Sequence, residues 1–464
     1  MGACTGRAGL VMVTAVVAVL AGCEDKSDFF GPLPGQPGGV QEFLLTQIST
    51  GVGVTCGIAA NGGPAFCWGN NQTGALGIGT AAGPNDIRTR PVQVAGGLSF
   101  NAISTSGEHT CGITGAGQAF CWGANEHGEL GTEATLQQCE VSIGAITSVP
   151  CATVPVPVAG GLTFASITTA LDFTCGVTTG GQGYCWGDND FGQLGTTAGL
   201  DNCTVIGVTA PCALTPVPVA GNLTFASINT GNTASHVCGV TTNGAAYCWG
   251  AAGVGQLGTT ANLDTCTLFG QPIDCARTPV PVAGGHTFAN VSAGGLASCG
   301  VTTGNDAFCW GSNQSAELGN STVTTCPVQG VDFPCAPTPV PVEGGLDFTD
   351  VEVGSAHACG LTTASQAFCW GSNLNGAVGS TATPATCVIQ GTTQDFPFDC
   401  FRTPVAVTVA ASFLSIDAGD EYSCGIETTG EALCWGVNES GQLGDGTTTT
   451  RRTPVRVLPP ETIT

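Results

Sequence analysis

Every tryptophan in this 464-residue chain stands in a Cys-Trp-Gly triplet: Trp68, Trp122, Trp186, Trp249, Trp310, Trp370 and Trp435. Successive triplets are 54 to 65 residues apart. Each belongs to a longer phrase, written fully in Thr174-Cys175-Gly176-Val177, Cys185-Trp186-Gly187, Gly192-Gln193-Leu194-Gly195 and Pro216-Val217-Pro218-Val219. A period of this size, made of short extended runs and glycine turns, describes a repeat array. One unit has too little core to fold alone, and packing against its neighbours buries it.

One period resolves into strands. Phe164 to Ile167, Phe173 to Val177 and Gln182 to Gly187 read as three of them, with Thr178 to Gly181 as a tight, glycine-bearing hairpin turn. Pro216 to Val219 reads as a fourth, placed at a blade edge because alternate prolines remove ladder amides. A solenoid competes with a ring, but it needs distinct polar end repeats. Here the first and last units keep the whole motif. The expected fold is therefore all-β: a seven-bladed β-propeller with four-stranded antiparallel blades over 41–459, followed by a tail at 460–464. The glycine after the first cysteine of each unit, such as Gly112 or Gly176, is expected to permit close approach of a neighbour. Each tryptophan is expected to be a packing residue whose indole nitrogen meets a backbone carbonyl.

The 26 cysteines divide cleanly once Cys4 and Cys23, near the amino terminus, are set aside. Seven pairs flank the hairpin turn: Cys56 and Cys67, Cys111 and Cys121, Cys175 and Cys185, Cys238 and Cys248, Cys299 and Cys309, Cys359 and Cys369, Cys424 and Cys434. A turn centred midway between such residues places them opposite each other on adjacent strands, within disulfide reach. The first pair is one residue further apart, so its turn must hold one more residue. Five pairs lie in insertions ahead of the Pro-Val stretch: Cys139 and Cys151, Cys203 and Cys212, Cys266 and Cys275, Cys326 and Cys335, Cys387 and Cys400. The first and last repeats lack both insertion and pair, which argues that each pair staples its own loop. Zinc is the competing reading. No Cys-x-x-Cys occurs, and the pairs belong to different repeats.

At the amino terminus the apolar run Leu10 to Leu20 suits a signal-peptide core and ends in Leu20-Ala21-Gly22-Cys23. That tetrapeptide resembles the lipobox of bacterial lipoproteins. On this reading 1–22 is a lipoprotein signal peptide, Cys23 carries lipid, 23–40 is a flexible tether, and the protein is held at a bacterial cell envelope or exported, not cytoplasmic. Disulfides agree with an oxidising compartment. The formal charge of -24, with Lys26 the one lysine, excludes nucleic acid as a natural partner.

The strings His109-Thr110-Cys111-Gly112-Ile113, Gly117 to Asn125 and Gly128-Glu129-Leu130-Gly131 resemble the repeat of the regulator of chromosome condensation family, as do Glu439 to Thr447 and Arg452-Thr453-Pro454-Val455. The resemblance covers all seven units and implies a seven-bladed propeller. It does not imply one function, because the family includes nuclear guanine-nucleotide exchange factors, plant ultraviolet photoreceptors and secreted bacterial members. The chain has no basic tail, and it lacks the additional tryptophans that the photoreceptors gather at a dimer face.

Candidate chemistry is sparse. His109, His236 and His357 share one slot that other repeats fill with Val54, Phe173, Ala297 and Tyr422, so the slot is structural. Asp188 and Asp190 flank Asn189, but the equivalent Ser312, Asn313 and Gln314 carry no charge; Asp417, Asp420, Glu421, Glu427 and Glu431, with Glu439 nearby, read as a solvated acidic rim, with a calcium or glycosidase site as the alternative. No catalytic residue, metal ligand or cofactor is assigned. The stapled insertions carry Phe269, Phe333, Phe396 and Phe398, which are the candidate binding face. The expected function is a surface-tethered, non-enzymatic module for a protein or glycan. The alternatives are an exported hydrolase or lyase using acidic groups on one face, and, by resemblance, guanine-nucleotide exchange.

Overall fold

The computed structural model describes residues 43–460 apart from 61–62, 81–82, 84, 144–145, 206, 269, 323, 329–330 and 390–395. The expectations for 1–22, Cys23 and 23–40 lie outside the described residues.

Seven antiparallel sheets follow one another along the chain, each formed from consecutive strands. Blade 1 spans 45–93, blade 2 100–157, blade 3 164–218, blade 4 225–281, blade 5 288–341, blade 6 348–406 and blade 7 413–456. The first strand of every blade lines a central channel, and the chain then steps outward.

The expectation of four strands in every blade is corrected. Blades 1 and 7 have four, and blades 2 to 6 have five. The insertions are not loops laid on the rim. Each folds into a β-hairpin whose second arm runs straight into the proline-bearing outer strand. In blade 3 Asp201–Val205 pairs with the start of Val208–Pro218, and the end of that same strand pairs with Gly183–Asp188. The added strand covers only the first half of the long one, so Val217-Pro218 still forms a blade edge, where missing amides do no harm. An insertion rich in threonine and valine, closed by a short turn, has the composition of a hairpin. Its cysteines stand nine to thirteen positions apart, which is enough for two short arms.

The structure joins twelve cysteine pairs. Within the seven hairpins the cysteines sit directly opposite each other in the register, as Cys175 does to Cys185, with Cα atoms 4.1 Å apart in that pair. The hairpin pairs are 56–67, 111–121, 175–185, 238–248, 299–309, 359–369 and 424–434. The insertion pairs are 139–151, 203–212, 266–275, 326–335 and 387–400. They join diagonal positions of the added hairpin, with Cα atoms 5.8 Å apart.

The blades are bonded to one another by a repeated device. All seven tryptophans are fully buried. Each indole N–H donates to a backbone carbonyl in the loop of the preceding blade: Trp122 to Ala75, Trp186 to Glu129, Trp249 to Gln193, Trp310 to Gln256, Trp370 to Glu317, Trp435 to Ala377 and Trp68 to Gln442, at 2.8–3.0 Å. The last bond runs from blade 1 back to blade 7, and so the ring closes. Leu45 N–H also donates to Gly430 O, and Tyr422 Oη, which accepts from Gly51 N–H, donates to Val54 O. The glycine two residues after each of these carbonyl residues is held at positive φ, and a methyl group there would meet the tryptophan. At Gly195 it would lie 2.8 Å from Trp249 Nε1. The glycine after the first cysteine has a different neighbour: at Gly112 a methyl would strike the Phe100 ring of its own blade at 2.6 Å.

The histidine slot is part of the same device. His109 Nε2 lies 2.7 Å from Thr174 Oγ1, whose hydroxyl donates to Glu129 O, the carbonyl that also accepts from Trp186. His236 with Ser298 and His357 with Ser423 repeat the arrangement. Burial holds the pKa of these imidazoles far below the usual value, at about 3 for His109 and His236 and about 4 for His357. They are neutral blade connectors.

Candidate functional site

In a blade whose strands alternate in direction, the link from the first strand to the second and the link from the third to the outer strand emerge at the same end. The five insertion hairpins belong to the second kind of link. They therefore share a face with the short loops that precede the histidine slot. The hairpin turns between second and third strands point the other way.

On this face blades 3, 4 and 5 enclose a cleft of about 350 Å³. Its apolar walls are Phe191, Val254, Ile273, Leu296 and Phe333, with Thr233, Ser235, Gln256 and Gln314 at the edges. Phe191 is held by its own turn: its N–H donates to Gln193 Oε1 at 2.9 Å, while Gln193 Nε2 donates to Asp188 Oδ2 at 2.6 Å. Ile273 stands opposite Cys266 and Phe333 opposite Cys326, so both walls lie on stapled hairpins. Leu296, also in the wall, is 48% exposed.

Acidic side chains lie on the same face on blades 2 and 3, outside the cleft lining itself. Glu108 and Asp172 occupy the short loops, and Glu126, Glu129, Asp188 and Asp190 the loops after the third strands. His127 Nδ1 approaches Asp172 Oδ1 at 3.6 Å. Glu129 is buried, and its carboxylate accepts the amides of Glu126 and His127 at 3.0 and 2.7 Å, which makes it a loop brace. Burial, followed by the charges of Asp172 and Glu126, pushes the Glu108 carboxyl up to about 7. Burial and then Asp190 do the same to Asp188, also to about 7. Asp190 itself is exposed and stands next to Phe191, so the acidic group and the cleft share a border.

The central channel is a second cavity, of about 370 Å³, lined largely by serine, threonine and asparagine. Asp417 accepts from Thr50 N–H at 2.6 Å and Thr50 Oγ1 at 3.1 Å, and Glu352 accepts from Ser292 Oγ at 2.8 Å. Burial raises both carboxyls, Asp417 to about 6. These contacts tie neighbouring blades together at the axis. Among the described residues no group of three His, Cys, Asp or Glu side chains is arranged to hold a metal ion.

The structure separates the sequence-derived candidates. Phe269 lies outside the described residues. Phe333 is half-buried in the cleft wall, Phe396 is 62% exposed, and Phe398 is packed on Ala316, Cys387 and Cys400 as a local mini-core. The acidic stretch of blade 7 is dispersed: Asp417 faces the channel, Glu421 accepts from Asn375, and Glu431 pairs with Arg456 at 2.6 Å. Sequence reasoning missed Phe191, Val254, Ile273 and Leu296. A signal for two of them was present. The position of Leu296 is filled elsewhere by Gly53, Glu108, Asp172, Ser235, Ala356 and Glu421, and that of Phe191 by Thr73, His127, Val254, Ser315, Asn375 and Ser440. Leucine and phenylalanine stand out in slots that other repeats fill mostly with polar or small residues.

Comparison with known proteins follows the geometry. Two models described as the regulator of chromosome condensation (RCC1) repeat match, one at 100–129, 167–193, 348–377 and 413–442, the other at 63–113, 305–361 and 429–464. The chain is 28% identical over 313 residues to the mitochondrial RCC1 domain-containing protein RUG3 of Arabidopsis thaliana, covering 65% of this chain and 62% of that protein. It is 26% identical to the secretion-regulating guanine nucleotide exchange factor of Mus musculus, over 85% of this chain and 79% of that one. Prp20p of Saccharomyces cerevisiae has the same fold, with a TM-score of 0.64 at 18% identity, over 90% of this chain and 87% of that one.

These findings correct several expectations. The relatives are proteins of plants, mammals and yeast, which overturns the reading of an exported bacterial lipoprotein with an envelope location and a lipid-borne membrane partner. A tetrapeptide of common residues is weak support beside a repeat that spans seven units. The relatives overturn the surface-glycan reading too, and all seven tryptophans are buried, so none of them can stack on a sugar ring. The acidic-face enzyme reading loses its blade 7 stretch, whose carboxylates are spread over separate structural tasks. The resemblance to exchange factors assigns no active-site residue here.

Proposed function

We propose that this chain, built of regulator of chromosome condensation repeats, is a protein-interaction module that holds its partner on the insertion face. The apolar cleft between Phe191, Leu296 and Phe333 carries the reading. A rigid frame that exposes a preformed apolar recess beside charged loops suits recognition, since buried aromatic and aliphatic anchors dominate the affinity of protein interfaces. The disulfides of the insertion hairpins hold Ile273 and Phe333 in place before binding, which reduces the ordering cost of association. The relatives support the coarse reading: one is named an exchange factor and another a mitochondrial RCC1-domain protein, and what they share with this chain is the propeller.

The test is affinity capture from the protein's own source cells with three versions of the full chain. Wild type and Thr303→Asp, altered on the opposite face, should retain the same partner. Leu296→Asp should lose it. A partner kept by Leu296→Asp and lost by Thr303→Asp would place binding on the other face.

A further inference from the structure

The cleft and the acidic group form one continuous surface, because Asp190 and Phe191 are consecutive residues of one turn. Glu108, Glu126, Asp172 and Asp190 lie to one side of Phe191, and Val254, Leu296 and Phe333 to the other. Resting on the protein-interaction reading above, we propose that this surface takes one extended polypeptide segment of the partner, with an arginine or lysine on the acidic group and a large apolar side chain in the cleft.

The cleft volume sits near the lower end of ligand-sized cavities. It has room for one or two large side chains. The charge is complementary to a basic segment alone. Of the seven arginines among the described residues, Arg88, Arg90, Arg451, Arg452 and Arg456 stand on the outer strands of blades 1 and 7, away from this surface. Arg277 and Arg402 turn their guanidinium groups onto their own insertion hairpins, to Thr265 O and Thr386 O. The acidic side chains near the cleft are thus left without an arginine of the chain's own. Arg277 packs its stem against Gly192, two residues from Asp190, yet its guanidinium is held by Thr265 O, and His127 Nδ1 stands 3.6 Å from Asp172 Oδ1. Raised carboxyl pKa values at Glu108 and Asp188 fit carboxyls crowded together in a poorly solvated place, where an incoming guanidinium relieves the repulsion. The formal charge of -24 adds steering of a basic segment toward the propeller.

The experiment pans a phage-displayed random dodecapeptide library on the full chain. The enriched sequence is then synthesised with a fluorescein label and titrated by anisotropy. Enriched peptides should pair Arg or Lys with Leu, Ile, Phe or Met within a few residues. Leu296→Ser should weaken the labelled peptide at least tenfold, as should the double change Glu126→Gln with Asp190→Asn, both at an unchanged melting temperature. Leu296→Ala serves if Leu296→Ser fails to fold. Added salt should weaken binding to wild type more than to the double variant. Apolar peptides without cations that depend on Leu296 would overturn this proposal and leave the protein-interaction reading standing. Peptides insensitive to Leu296 would overturn both. No enrichment, or a concentration-dependent rise in mass that Leu296→Ser abolishes, would overturn the basic-segment proposal, the latter by assigning the face to a second copy of the chain.

Discussion

Gly195→Ala isolates the contact that joins one blade to the next. Gly195 has φ +66°, and a methyl there would lie 2.8 Å from Trp249 Nε1 and 3.0 Å from Cδ1. An alanine at that φ costs about 1–2 kcal/mol from backbone strain alone. The ring cannot move aside freely, because it is fully buried and its N–H donates to Gln193 O at 2.9 Å. Displacing it weakens a buried hydrogen bond, at roughly 1–3 kcal/mol, and overpacks a filled site, at roughly 1–3 kcal/mol more. The expected loss is about 3–8 kcal/mol. Gly97→Ala is the control: its φ is also +66°, and a methyl there has nothing within 4 Å. It should cost only the strain. Guanidinium unfolding followed by tryptophan fluorescence measures both. If the two variants lose the same stability within about 0.5 kcal/mol, a figure set by the usual error of such comparisons, the tight seam between blades is refuted.

Three further outcomes follow from the same structure. Glu108→Gln should stabilise the protein at pH 8 by at most about 3 kcal/mol and have no effect at pH 4. The folded carboxyl titrates near 7 against 4.5 unfolded, so the cost of ionising it sets in as pH rises through that window; a pH-independent difference in melting temperature would contradict it. Phe398→Ala should cost roughly 1–3 kcal/mol, because the ring packs on Cys387 and Cys400, while Phe396→Ala should fall within about 0.5 kcal/mol of wild type. Equal melting temperatures would remove that distinction. Replacing Cys238 and Cys248 by serine should cost about 2–4 kcal/mol, whereas replacing Cys266 and Cys275 should open the insertion to protease and leave the global unfolding midpoint near wild type. A matching fall in both would show that the insertion hairpins hold the blades together.

The repeat made the propeller legible, because the tryptophan triplets count the blades and the hairpin cysteines set the register between second and third strands. The fifth strands were hidden because an insertion between two motifs reads as a loop until its two arms are matched. Threonines and valines such as Thr204 and Val205 opposite Val208 and Thr209 were the available signal. The blade-to-blade relay was half visible. His109 faces Thr174, His236 faces Ser298 and His357 faces Ser423, whereas Phe173 stands in the slot that leads to Val237 and Ala297 in the one that leads to Ala358. Polar residues answer polar ones and apolar answer apolar in these pairs and in Tyr422 with Thr55, with Val54 leading to Thr110 as the exception, a match seen only when each repeat is compared with the next. The cleft was the least visible part. It is formed by three blades at once, and Leu296 and Phe191 declare themselves only as misfits in slots that other repeats fill mostly with polar or small residues.

The central claim, that the insertion face is where a partner protein sits, is tested most directly by placing a photo-reactive phenylalanine analogue at position 296 and, separately, at position 303 of the full chain. On irradiation with the captured partner, position 296 should yield a covalent adduct and position 303, on the opposite face, should yield none. An adduct at 303 without one at 296 would contradict the account.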